Sequence, residues 1–173
     1  MSFFNSYSRR TINYDLVNVF FYNKLTQIPK LKQITLSFKY QQSLFKYILS
    51  SLIALEFITL KKSNLTKSKR LNVFLKIKKG APVGCKVILK KESMYSFYLK
   101  LITLTPLKTI KFKKKTNLLK AITFQIQNPL FFNELENQYM YFKNLPKLII
   151  TLNFDTKSRK ELYFILKSNK FFV

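Results

Sequence analysis

The chain holds only two glycines, Gly80 and Gly84, and both fall within one short stretch, Leu75-Lys-Ile-Lys-Lys-Gly-Ala-Pro-Val-Gly-Cys-Lys-Val-Ile-Leu89. Glycine reaches backbone angles that cost other residues dearly, and Pro82 between the two stiffens the path. Strand-like runs at Asn72–Lys78 and Lys86–Lys90 flank the pair, so the spacing predicts a preorganised turn standing out between two strands. Lys76, Lys78, Lys79 and Lys86 make that turn cationic. A stiff cationic protrusion points to a polyanion, with nucleic acid the first candidate.

The charge of the whole chain agrees. Lys and Arg number 32 against seven Asp and Glu, a formal net charge of +25, and histidine is absent. Such an excess opposes compaction unless a polyanion neutralises it. Phosphate contacts made by these cations would release counterions, giving strong and steeply salt-dependent binding. The 18 Phe and 10 Tyr within 47% hydrophobic residues separate the chain from a disordered basic tail. At 173 residues it is long enough for one domain with a real core. The cations are 28 lysines and only four arginines; Phe, Ile, Lys, Asn and Tyr total 84, against 14 for Gly, Ala, Pro and Arg. The first group has AT-rich codons and the second GC-rich ones. An AT-rich genome is inferred, such as that of a mitochondrion, a plastid, a parasite or an AT-rich bacterium.

Catalytic constellations are nearly empty. Without histidine there is no imidazole base and no His-containing metal or nucleophile site. Gly-Ala-Pro-Val-Gly is not followed by Gly-Lys-Ser/Thr and is no P-loop. Cys85, the single cysteine, cannot form an internal disulfide. The few acids are expected to serve as local ion-pair partners, with Glu134 and Glu136 on a solvated edge. No cofactor and no metal is expected. Leu44–Leu60, the most apolar run, is interrupted by Lys46 and Glu56; it reads as a buried amphipathic helix, not a membrane span. Met1–Thr11 has no secretory core and is short for a transit peptide, as expected of an organelle-encoded product.

Elements of both kinds alternate along the chain. Asp15–Leu25 reads as a short helix with Asn13 as its cap. Leu31–Phe38 alternates as a half-buried strand. Ser43–Leu55 places Leu44, Tyr47, Ile48, Leu52 and Leu55 on one helical stripe. A helix opens at Glu92 or Ser93 and runs to about Leu104, stopped by Pro106. Its Tyr95, Phe97 and Tyr98 read as core and rim, not as stacking platforms for bases. Ala121–Gln127 and Leu148–Phe154 are strands, and Asp155 or Thr156 caps a last helix reaching Lys167. The expected fold is α+β: an antiparallel sheet with helices packed on one face, plus the protruding Gly-Pro-Gly loop. Two basic clusters are candidate phosphate contacts: Lys61, Lys62, Lys67, Lys69 and Arg70, and Lys111, Lys113, Lys114 and Lys115.

Three blocks resemble the bacterial-type large-subunit ribosomal protein five, the family that binds 5S rRNA in the central protuberance. Gln27-Ile-Pro-Lys-Leu-Lys-Gln-Ile-Thr-Leu36 is similar to the family's Gln-Val-Pro-Arg-Val-x-Lys-Ile-Thr-Leu strand entry. Leu65-Thr-Lys-Ser-Lys-Arg70, Ile77-Lys-Lys-Gly-Ala-Pro-Val-Gly-Cys-Lys-Val87 and Met94-Tyr-Ser-Phe-Tyr-Leu-Lys-Leu-Ile-Thr103 follow in the family's order. Leu148–Leu166 resembles its closing strand, its Thr-Lys-Ser turn (Thr156-Lys157-Ser158) and its last helix.

The resemblance implies one ribosomal-protein domain over residues 1–173, non-catalytic, in the large subunit of a ribosome; with the AT-rich composition the expected setting is mitochondrial, the alternatives being a plastid or an AT-rich bacterium. It implies rRNA partners, 5S or large-subunit, with Ser37, Lys61 and Lys90 at the family's contact positions; the first basic cluster adds Lys62, Lys67, Lys69 and Arg70 as candidate rRNA contacts. The loop Lys78, Lys79, Gly80, Ala81, Pro82, Val83 and Gly84 would reach P-site tRNA. Neighbouring ribosomal proteins are implied too, including small-subunit protein thirteen. Several positions depart from the family pattern. Lys78 replaces an arginine, giving a point charge in place of a bidentate fork. Ser37, Lys61, Ile88 and Lys90 stand where the family tends to have Asn, Gln, Thr and Arg, so directed hydrogen bonds give way to unspecific charge. The segment between Phe112 and Phe131 is shorter than the family's and has no glycine. The competing reading is an RNA-binding assembly or processing factor off the ribosome.

Overall fold

The computed structural model describes residues 7–40, 45–104, 110–113 and 121–168. Six strands form one sheet: β1 (Leu31–Lys39), β2 (Asn64–Lys67), β3 (Pro82–Leu89), β4 (Ile110–Lys113), β5 (Ala121–Ile126) and β6 (Leu148–Phe154). Their order is β2-β3-β1-β6-β5-β4, and every neighbouring pair is antiparallel. The longer helices are α1 (Asn13–Val19), α2 (Phe45–Thr59), α3 (Lys91–Leu104) and α6 (Arg159–Ser168); α4 (Asn133–Glu136) and α5 (Tyr139–Phe142) are single turns. This is the expected α+β architecture.

Period-two alternation makes the two faces of the sheet different. Ile34, Leu36 and Phe38 of β1, Cys85, Val87 and Leu89 of β3, Phe124 and Ile126 of β5, and Leu148, Ile150 and Leu152 of β6 are buried. They meet Ala54, Leu55 and Ile58 of α2, Met94, Phe97, Tyr98 and Leu101 of α3, and Leu162, Ile165 and Leu166 of α6 in one core. Each fully buried aliphatic or aromatic side chain contributes roughly 1.5–3 kcal/mol by leaving water. Phe97 and Tyr98 are core and Tyr95 is half-buried, as expected from their spacing.

Helix starts and stops depart from the sequence pattern more than the strand faces do. The first helix is Asn13–Val19, not Asp15–Leu25, and Asn13 is its first residue with no capping side chain. Phe20 turns extended and sets its ring edge-on against Phe164, 5.8 Å between centroids, so tertiary packing ends the helix. The last helix is capped by Ser158, not by Asp155 or Thr156. Ser158 Oγ accepts from the Glu161 N–H at 3.2 Å, and Glu161 Oε2 accepts from the N–H groups of Lys157 and Ser158 at 2.9 and 3.3 Å. That reciprocal Ser-x-x-Glu box satisfies donors that a helix start leaves unpaired. In α2, Ile48 and Leu55 are buried, but the opposite face is also apolar, so the expected amphipathic pattern fails. Leu44 and Pro106 lie outside the described residues.

The expected strand Asn72–Lys78 is also absent. The β2–β3 connection is a 68–81 excursion that begins as a ladder, with Ser68 N–H donating to Ala81 O at 2.8 Å and Gly80 N–H to Ser68 O at 2.9 Å. Farther out, Asn72 and Ile77 exchange backbone hydrogen bonds of 2.9 and 3.0 Å around a tight turn. Asn72 Oδ1 accepts from the Leu75 N–H at 3.2 Å, the side-chain mimicry that makes asparagine a turn residue.

Candidate nucleic-acid interface

The face of the sheet turned away from the core is polar and half-exposed. Register aligns its residues in rows across the strands. One row runs Asn64, Lys86, Ser37, Ile149 and Gln125. The next runs Ile88, Thr35, Thr151 and Thr123, and Asn153 continues the pattern between Gln33 and Ala121. At roughly 4.8 Å per strand a five-strand row spans about 20 Å. Thr123 and Thr151 hydroxyls lie 3.1 Å apart and hydrogen-bond across the strands. The rows contain hydroxyls, amides and lysine but no acid.

The acids lie elsewhere. Asp155 pairs with Lys32 at 3.1 Å. Glu134 pairs with Lys100, whose ammonium also donates to Ile58 O at 3.2 Å and stands over the Phe132 ring. Partial burial alone would raise the Glu134 carboxyl, but the Lys100 hydrogen bond and charge outweigh it and hold its pKa below the usual range. Glu56 accepts from Ser63 N–H at 2.9 Å, and Glu161 closes the capping box. Each of these carboxylates has a local partner, as the composition led one to expect, although Glu134 is only partly solvated and is tied to α3. Among the described residues, no three His, Cys, Asp or Glu gather as metal ligands, and no helix is long and apolar enough to cross a membrane. Cys85 is free and buried, 3.0 Å from Ser51 Oγ, and burial pushes its thiol up.

The residues singled out from sequence fall into separate places. Ser37 and Ile88 are on the open face, with Lys90 just beyond the end of β3. Lys61 and Lys62 are exposed in the α2–β2 connection, Lys67 ends β2, and Lys69 and Arg70 enter the excursion. All five border the β2 edge of the sheet in sequence. Of the second basic cluster, Lys111 and Lys113 pair through their backbones with Gln125 and Thr123, extending the two rows at the far edge. Lys114 and Lys115 lie outside the described residues. So does 114–120, part of the segment through which the family resemblance implied a bridge to small-subunit protein thirteen.

The supposed loop Lys78–Gly84 divides in two. Lys78, Lys79, Gly80 and Ala81 form the returning limb of the excursion, whereas Pro82, Val83 and Gly84 are the first residues of β3. The glycines do different work. Gly80 has φ +85° with open space around its Cβ position. Gly84 sits opposite Lys39, and a Cβ there would lie 2.2 Å from Phe38 O. Gly84 is therefore required by close strand approach, not by a turn, and this is why the protruding part begins earlier in the chain. Its tip is Leu71–Ile77, where Phe74 is fully exposed and Val73 is 74% exposed. Sequence reasoning missed this tip, although Asn72 was its signal. It also missed Gln33, Thr35, Thr123, Gln125, Thr151 and Asn153, all legible as the polar half of strand alternation.

No family model matches the sequence. Curated relatives do. The chain is 32% identical over 156 residues to large ribosomal subunit protein uL5m of Reclinomonas americana, covering 87% of this chain and 86% of that protein. The chain belongs to the uL5 family of large-subunit ribosomal proteins. It is also 27% identical over 177 residues to uL5 of Blochmanniella floridana, across 99% of the chain and 92% of that protein. A third relative, uL5 of Wigglesworthia glossinidia brevipalpis, is 28% identical over 169 residues. Both bacterial and mitochondrial uL5 proteins are thus similar over most of the chain. As a uL5 protein it is a structural, non-enzymatic component of the ribosomal large subunit.

Proposed function

We propose that the open sheet face binds rRNA in the central protuberance, either 5S rRNA or the large-subunit rRNA beside it. The observation that carries this reading is the acid-free set of rows: Ser37, Thr35, Thr151, Thr123, Gln125 and Asn64, with Lys86 and Lys90 among and beside them. Double-stranded RNA offers 2′-hydroxyls and phosphates across a wide, shallow minor groove. Short neutral donors and acceptors on a broad platform suit the hydroxyls, and lysines suit the phosphates. No aromatic side chain stands in these rows, so the recognition is of shape and backbone, not of stacked bases. Lys61, Lys62, Lys67, Lys69 and Arg70 continue the positive border along the β2 edge. On this reading the whole chain acts as one ribosomal-protein domain.

The 68–81 excursion is proposed to touch P-site tRNA. Lys76, Lys78 and Lys79 supply phosphate contacts, and Phe74 at the tip offers a ring for a base or ribose. The proposed setting is a mitochondrial ribosome, supported by the AT-rich composition and the mitochondrial relative.

Cosedimentation with large subunits in high salt tests the rRNA assignment. The wild-type chain is expected to stay bound stoichiometrically. A chain carrying Lys86→Ala and Lys90→Ala is expected to dissociate at lower salt, each change removing about one released counterion from the salt slope. An unchanged slope would remove both lysines, and with them the open face, from the RNA contact.

A further inference from the structure

Helix α2 carries a second apolar face that the core does not use. Phe45, Leu49, Ile53 and Phe57 recur at intervals of four and are 65%, 45%, 39% and 39% exposed. That spacing puts them on one stripe of the helix, opposite the buried Ile48, Ala54, Leu55 and Ile58. At ~1.5 Å per residue the stripe is about 18 Å long, just over three helical turns. Beside it α5 presents Met140 and Tyr141, 81% and 76% exposed. Between the two helices lies a groove of about 640 Å³, floored by Phe57 and Phe142, whose rings meet edge-on at 5.9 Å. A continuous apolar face of this kind marks an interaction site more often than a solvated surface.

Charge identifies the occupant. The groove is bordered by Lys46 and Lys143, and no acid lines it. A second copy of the chain would bring another +25 formal charges to the same place, so self-association is opposed. RNA would find two lysines there, but the surface between them is mainly Leu49, Ile53, Phe57, Met140 and Phe142, apolar area that an RNA backbone cannot hydrogen-bond. We infer that the α2–α5 groove docks an amphipathic helix of another protein, with an apolar face along the α2 stripe and acidic residues beside Lys46 and Lys143. Helix-in-groove docking lays the apolar face of one helix along such a stripe, with its anchors one helical turn apart. Because this surface lies on the helical side, it can be occupied while the open sheet face holds RNA.

The test uses large subunits assembled with the full chain bearing Leu49→p-benzoylphenylalanine, irradiated and digested. The expected adduct lies on a helical, apolar segment of another protein flanked by Asp or Glu. Adding Ile53→Glu to the same chain is expected to lower adduct yield at least tenfold. Its recovery in large subunits at the wild-type level shows that the variant folds and still holds RNA, whether or not the groove is occupied. Adducts to rRNA, to a second copy or to a basic protein segment would overturn the inference, as would no adduct at all. An adduct yield unchanged by Ile53→Glu would overturn it too.

Discussion

The sheet platform and the 68–81 excursion contain one glycine each, and the two glycines show how differently the regions are built. Gly84 is locked into β3 with the backbone of β1 where a side chain would be. Gly80 turns through a positive φ in open space. The platform is fixed by register, by a core on its other face and by hydrogen bonds on both sides of its inner strands. The excursion is held by a few ladder bonds at its base and one tight turn, and it exposes apolar residues at its tip. A surface that recognises RNA by shape needs the first kind of construction. A finger that follows a moving ligand can be of the second kind.

The largest expected effect comes from breaking the platform at its tightest point. Gly84→Val forces β1 and β3 apart and is expected to cost about 3 kcal/mol, as severe overpacking does, lowering Tm by roughly 10 °C. Gly80→Val meets no neighbour and strains only its own backbone, at a cost of about 1–2 kcal/mol confined to the excursion. Thermal unfolding of the two variants measures the contrast directly; equal losses would erase it. Next is the tip: Phe74→Ala is expected to leave Tm unchanged and weaken tRNA binding to the large subunit about tenfold, the scale of one lost stacking contact. Filter binding of labelled tRNA checks this, and unaltered affinity would take Phe74 out of the contact.

Smaller effects sharpen the comparison on the platform side. Ser158→Ala removes one half of the box that starts α6 and is expected to cost about 1 kcal/mol, measured by urea unfolding. Lys100→Met is smaller still. The Glu134 carboxyl has a lowered folded-state pKa, so its contribution is fully present above the ordinary value of 4.5 and is lost as pH falls through the lower folded value. The pair is partly exposed and is worth well under 1 kcal/mol. The wild-type chain should therefore lose this increment of stability in the acid limb below pH 4.5, and Lys100→Met should flatten that limb. Neither change should alter the excursion.

What could be read from sequence follows the same division. Strand alternation at Leu31–Phe38 and Leu148–Phe154 is dictated by one buried face, so strands, faces and fold class were legible. The cations of the β2 edge were legible because charge needs no context. Gly84 was misread because its need arises from Phe38, a residue 46 positions earlier that sequence order does not place beside it. The tip at Leu71–Ile77 was misread as a strand because exposed apolar residues there imitate a buried run. The neutral half of the proposed interface, Thr35, Thr151 and Thr123, is legible as the polar side of alternating strands but not as a site, because only register sets three ordinary threonines side by side. The α2 stripe is hidden for a related reason, since Lys46 and Glu56 interrupt the apolar run and suggest a polar face opposite the core where the helix has an apolar one.

Ultraviolet crosslinking of native large subunits, followed by mapping of nucleotide-bearing peptides, tests the central claim most directly. RNA adducts are expected on the peptides of β1, β3 and β6 that carry Ser37, Thr35, Lys86 and Thr151, with a separate set at 68–81. Adducts confined to the helical side, with none on these strands, would contradict RNA binding by the open face.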